Sequence, residues 1–253
     1  MITTITSKTN DKIVLFGKLK QKKYRDITNQ AILEGQRLVM EAIERKAKIV
    51  ALLISQDCEK KYLELLDENK FNIYVLSSNV YNSVALTENS QGIIAIVEFA
   101  EQKLAEPNGK FLILDNISDP GNMGTIIRTA LAGGIKDIYC INCVDYRNEK
   151  VLRSTMGTIF DVMIYNIDYD IAKRLMSNYT TFVTEMRGEN IYSIVPPKGI
   201  YGVVMGNEAN GVSNELLCCA NRTLSIPMLN NVESLNVAVA TAVIIYILNN
   251  KGE

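Results

Sequence analysis

The strongest constraint on the fold is an alternation that runs along nearly the whole chain. Short apolar runs at residues 30–33, 50–54, 72–76 and 93–97 recur at 111–114, 136–140, 162–165, 181–184, 201–205 and 223–226. Amphipathic stretches lie between them. At 36–45, Leu38, Val39, Ala42 and Ile43 share a helical face; at 59–68, Tyr62, Leu65 and Leu66 do. Alternating strands and helices at this spacing predict layered α/β architecture. The charged stretch 99–109 ends in Pro107-Asn108-Gly109 and separates two such regions. It predicts a linker between a smaller domain, 1–98, and a larger one, 110–253, with about six strands in the second.

Composition narrows the chemistry. The 253 residues carry a formal net charge of −1, so overall basicity gives no argument for a polyanionic partner, though a local basic surface stays open. No apolar run reaches the roughly 18 residues of a membrane span, and MITTITSKTNDK is not of signal-peptide type, so the default expectation is a cytoplasmic protein. Histidine is absent. That excludes a Ser-His-Asp triad, a histidine zinc ligand and a histidine general base. Cys140 and Cys143 have the spacing of a redox or zinc pair, but no second pair follows, and packing at a strand end is the better reading.

Charge is unevenly placed. Residues 1–25 hold Lys8, Lys12, Lys18, Lys20, Lys22, Lys23 and Arg25 against Asp11 alone. The segment reads equally as a solvated face or as a phosphate-facing arm. Further on, Arg153, Ser154, Thr155 and Thr158 offer phosphate-sized donors, with Gly157 allowing close backbone approach. After the run at 111–114 comes a polar loop, Asp115-Asn-Ile-Ser-Asp-Pro-Gly-Asn-Met-Gly124, and then a helix carrying Arg128. Strand, polar loop and helix is where α/β folds place ligands, but no dinucleotide GxGxxG is present. Two more polar turns, 206–213 and 230–234, flank the strand at 223–226. A helix at 235–248 follows, apolar on nearly every side and so expected to be buried, with Ser234 as a candidate N-cap.

Three of these stretches, in this order, resemble motifs of the SpoU-type, TrmH-like RNA ribose 2′-O-methyltransferases of the SPOUT class. They are Leu114–Ala130, Val203–Ser213 and Ile226–Ala240; Val151–Phe160 matches a further family stretch. Glu34-Gly35 and Gln91-Gly92 are similar to landmarks of the small L30e-like, ribosomal-protein-type domain that many members carry at the N-terminus. The resemblance implies a deep trefoil knot on the parallel sheet of the larger domain, S-adenosylmethionine as cofactor, and a homodimer through that domain. It implies an RNA partner, rRNA (23S) ahead of tRNA, with no DNA and no membrane. An alternative is a non-catalytic RNA-binding or ribosome-assembly protein that keeps the knotted fold.

Residue by residue, Arg128 occupies the family's catalytic arginine position. Asn122 would orient it or the substrate, and Glu208 would pair with it. Ser234 and Asn236 would bind ribose or cofactor. Thr184, Gly206, Ile226, Met228 and Leu235 fall on cofactor-pocket positions. Lys20, Lys22, Lys23, Arg25 and Arg153 are the expected RNA contacts. No metal is expected. One departure stands out: within the third motif, Leu229-Asn-Asn-Val232 stands where the family commonly has a basic or glycine residue shortly before Glu233-Ser-Leu-Asn236.

Overall fold

The computed structural model describes residues 2–67 and 69–251. The chain forms two compact units, one of residues up to Glu101 together with Asp145–Phe160, the other of Gln102–Val144 with the residues from Asp161 onward. The division is therefore not the continuous one at 99–109 suggested by the sequence, because residues 145–160 join the first unit.

The first unit runs β1 (Ile2–Ile5), α1 (Asp11–Lys18), α2 (Lys22–Thr28), β2 (Gln30–Glu34), α3 (Gln36–Glu44), β3 (Lys48–Ser55), α4 (Glu59–Leu63), β4 (Ile73–Leu76), α5 (Ser78–Val84) and β5 (Ile93–Glu98). The sheet order is β1-β4-β3-β5-β2, with β1, β4 and β3 parallel and β5 antiparallel to both β3 and β2. β1 was not anticipated. Its ITTI sequence is too short and too polar to stand out, and pairing with β4 is what makes it a strand. Side chains alternate across the sheet. Ile32, Leu53, Ile94 and Ile96 pack with Ile13 and Phe16 of α1 and Val80 and Tyr81 of α5.

The segment 145–160 docks through α7 (Glu149–Thr155), which packs against the edge strand β2. Two buried arginines hold it. Arg25 donates from Nε to Asp145 (2.8 Å) and from a terminal nitrogen to the carbonyls of Leu19 and Lys20. Arg147 donates to Asp145, Asp26, Asn29 and the carbonyl of Arg25. Each guanidinium is paired with a carboxylate and donates further to carbonyl or amide oxygens, which is how ionised groups are tolerated out of water. Gly157, at φ +86°, lies so close to α3 that a Cβ would come within 2.8 Å of the Cβ of Glu41.

The second unit runs β6 (Phe111–Asp115), α6 (Pro120–Ala132), β7 (Asp137–Ile141), β8 (Met163–Asn166), α8 (Tyr169–Asn178), β9 (Thr180–Asn190), β10 (Tyr201–Met205), α9 (Asn214–Leu217), β11 (Arg222–Ser225) and α10 (Val237–Lys251). All its strands are parallel, in the order β11-β9-β10-β6-β7-β8. Helices cover both faces, as parallel sheets require. Phe111, Ile113, Val183 and Val204 pack with Leu175 and Met176 of α8 and Leu216 of α9. On the opposite side α6 packs against α10.

Candidate active site

The strand order reverses between β6 and β10. β6 leads outward through β7 to β8, and the chain then returns to build β9, β10 and β11 on the other side. The loops at the carboxyl ends of β6 and β10 diverge there, the usual ligand position in open α/β sheets. They carry the first two motifs, and the third follows β11.

α6 begins where a helix should. Asp119 is the N-cap, accepting from the amide of Asn122 (2.7 Å), and Pro120 fills the first helical position, where a missing N–H is harmless. Asn122 therefore sits in the first turn. Its Nδ2 donates to Glu208 Oε1 (2.7 Å), and its Oδ1 accepts from Asn236 Nδ2 (2.9 Å). The amide orientations follow from chemistry. A carboxylate only accepts, so Asn122 must present its nitrogen to Glu208 and its oxygen to Asn236. The Oδ1 of Asn236 accepts from the amides of Ala238 (2.9 Å) and Val239 (3.3 Å). Asn236, and not Ser234, thus caps α10; Ser234 is exposed. One polar chain, Glu208–Asn122–Asn236, joins all three motifs at the converging N-termini of α6 and α10, whose partial positive charge favours an anionic group.

The expected pairing of Glu208 with Arg128 is not formed within the chain. Arg128 is exposed, a little over two turns into α6, and among the described residues its guanidinium makes no ion pair or hydrogen bond. Gly206 closes β10 where an added Cβ would lie 2.1 Å from the backbone of Gly211 and Val212, so the 206–213 loop folds directly over the strand end. Ile226 and Met228 are half-buried and Leu235 is exposed. The hydroxyl of Thr184 donates to the carbonyl of Val204 (3.0 Å) and serves the scaffold. Glycine-tight backbone with half-open apolar side chains suits the adenosine part and the aliphatic carbons around the sulfonium of S-adenosylmethionine. No cluster of three potential metal ligands occurs among the described residues. No described helix is long and apolar enough to cross a membrane.

Three sequence expectations are corrected. Arg25 is not an RNA contact: its side chain is 5% exposed and held by Asp145 and two carbonyls. The hydroxyls of Ser154, Thr155 and Thr158 are not phosphate donors, since each bonds a backbone carbonyl of its own segment. Gly157 meets α3, not a ligand. Arg153 remains exposed, on α7 of the first unit. Of the basic arm, Lys22 pairs with Asp26, Lys20 reaches the carbonyls of Ser83 and Ala85, and Lys23 is exposed. Cys140 is buried, and the thiol of Cys143 donates to the carbonyls of Leu114 and Ile141, in keeping with packing.

Sequence reasoning passed over Asp115, Asn116 and Asn207. They read as an ordinary polar strand end and one member of a turn, and no spacing signal sets them apart.

The fold and this site define an S-adenosylmethionine-dependent RNA methyltransferase. Residues 109–246 match the model of the SpoU rRNA methylase family and residues 10–95 that of the MRM3-like substrate-binding domain; the chain belongs to the SpoU rRNA methylase family. It is 32% identical to the 23S rRNA (guanosine(2553)-2′-O)-methyltransferase RlmP of Bacillus subtilis, over 96% of this chain and 97% of that protein. It is 26% identical to the mitochondrial rRNA methyltransferase 3 of Xenopus laevis, over 90% and 70% respectively. The AdoMet-bound rRNA methyltransferase from Sinorhizobium meliloti superposes with a TM-score of 0.85, covering 98% of both chains at 26% identity.

Proposed function

We propose that this protein transfers a methyl group from S-adenosylmethionine to a ribose 2′-hydroxyl of 23S rRNA, on a guanosine as in its Bacillus relative. The observation that carries the reading is the Glu208–Asn122–Asn236 chain, which brings all three motifs together at the β6/β10 switch point. The cofactor supplies an electrophilic methyl group on a sulfonium. Gly206, Ile226, Met228 and Leu235 would hold it, through loop backbone and apolar side chains, with Thr184 bracing the strand ends behind them.

The attacking hydroxyl must lie in line with that methyl and lose its proton. The guanidinium of Arg128, with its fork of donors, orients the ribose or its phosphate and stabilises the developing alkoxide. Asn122 and Glu208 define the floor on which the ribose rests, with Ser234 and Asn236 bordering it. Arg153 and Lys23 contribute to holding the RNA backbone.

We further infer a cytoplasmic homodimer formed through α10. The helix buries Val237, Ala238, Thr241, Ile244, Ile245 and Leu248, yet Val239 stays 50% exposed and Tyr246 54%. A second copy covers that stripe. The stretches near Gly206 and Ile226 form part of a deep trefoil knot, and residues 1–98 are an L30e-like RNA-binding domain.

The test is a map of ribose methylation in 23S rRNA with and without the gene, and after complementation with Arg128→Ala. One guanosine mark should disappear and stay absent with the variant. An unchanged map sinks the reading.

A further inference from the structure

Asp115 ends the central strand β6 with no exposed surface, a carboxylate among apolar strands. Every group that reaches it is a donor. Asn116 Nδ2 (2.6 Å) and the Tyr169 hydroxyl (3.1 Å) reach Oδ1, and the Ser213 amide (2.7 Å) reaches Oδ2. Asn116 Nδ2 also donates to the Tyr169 oxygen (3.1 Å), closing a triangle. Asn116 itself is held at φ +58°, a conformation that asparagine tolerates better than most residues. In this pose its carbonyl accepts from Asn207 Nδ2 (2.9 Å).

These bonds take hold of the 207–213 loop at its two ends. Asn207 is fixed through Asn116, and Ser213 through Asp115. Within the loop, Asn207 and Gly211 exchange backbone bonds of 2.9 Å, and Asn207 Oδ1 accepts from the amides of Ala209 and Asn210. Glu208 is the residue this closed loop presents to Asn122. A buried carboxylate is seldom the most stable choice for a core position. One that gathers donors from three separate segments fixes a geometry instead.

We propose that Asp115, acting with Asn116 and Asn207, is the positioning residue for Glu208: it clamps both ends of the 207–213 loop and so sets where that carboxylate stands. The inference rests on the reading of Glu208 as part of the methyl-transfer site. An amide cannot replace the carboxylate, because all three partners donate and an NH₂ would face a donor on one side.

The experiment has two arms on the full-length protein carrying Asp115→Asn. In the first, amide hydrogen exchange without cofactor or RNA should quicken by about tenfold or more at Gly211 and Ser213, with Tyr201–Met205 of β10 unchanged. Unchanged loop exchange overturns the clamp. In the second, kcat for methyl transfer to rRNA should fall by about tenfold, but by less than about twofold in a Glu208→Gln background, because both changes remove the same placed carboxylate. Losses that multiply independently overturn the positioning role. If Glu208→Gln alone leaves methyl transfer intact, the positioning role fails together with the site reading, and the exchange arm still decides the clamp. Should Asp115→Asn not fold, Tyr169→Phe removes a single donor and carries the same two arms, with effects of about threefold.

Discussion

Two arginines in helices, Arg25 and Arg128, look alike in the sequence and stand in opposite conditions. Arg25 is buried, and its donors are used by Asp145 and the carbonyls of Leu19 and Lys20. Arg128 is exposed and, among the described residues, unpaired, on the same helix α6 whose Asn122 bonds Glu208. The first arginine completes its partners within the fold. The second has a cation and a fork of donors that the fold leaves for something else. The same contrast separates Ser154, Thr155 and Thr158, turned back on their own backbone, from Asn122, which reaches across to two other motifs.

The largest effect should come from breaking the buried cluster. Arg147→Ala takes one of two cations from Asp145, leaves Asp26 to Lys22 alone and removes the donors to Asn29 and the Arg25 carbonyl, and should destabilise the first unit by about 3–5 kcal/mol, read by urea unfolding. S-adenosylmethionine affinity, measured by calorimetry below the unfolding range, should change little; a large loss there would mean that the two clusters are not independent. Arg128→Ala should do the reverse. Methyl transfer should drop by about 10²–10³-fold, the scale for losing one preorganised charge-stabilising donor, with no shift in the unfolding midpoint. A marked loss of stability would place Arg128 with the structural arginines.

Asn236→Ala should be intermediate, since one side chain caps α10 and bonds Asn122. The lost cap should remove about 1 kcal/mol, and the slower turnover should exceed what an N-cap change elsewhere produces. Acidification should weaken the structural cluster. Burial pulls the Asp26 carboxyl upward, but Lys22 and Arg147 outweigh it and hold its pKa below the ordinary value. Stability from that depressed group is complete above its unfolded-state pKa of about 4 and is lost as pH falls through the lower folded value. In Asp26→Asn this part of the acid slope should vanish. Smallest of all, replacing Lys20, Lys22 and Lys23 together should flatten the salt dependence of RNA binding by about one phosphate contact, because two of the three are already engaged within the fold. A loss of three contacts would restore the whole 8–25 segment as an arm.

Much of the scaffold is legible because local pattern and tertiary environment agree. The runs at 111–114 and 201–205 are uniformly apolar, which suits strands covered on both faces. Asp119-Pro120 announces the start of α6 before any packing is considered. The motif residues were legible through their resemblance, not through spacing, because Asn122, Glu208 and Asn236 meet across separations of 86 and 114 positions. Failures occurred where a residue's partners decide its role. Gly157 looked like a phosphate glycine because glycine marks close approach without naming what approaches.

By itself, the sequence determined most of the strands, the α/β class, the absence of histidine chemistry and the order of the three motifs, since these depend on residue type and short-range periodicity. Only the tertiary structure decided that residues 145–160 belong with the first unit, that Asn236 and not Ser234 caps α10, and that Arg25 is structural while Arg128 stands open. Those outcomes depend on which donors find acceptors far away in the chain. That is settled when strands take their order in a sheet, and no window of sequence contains it.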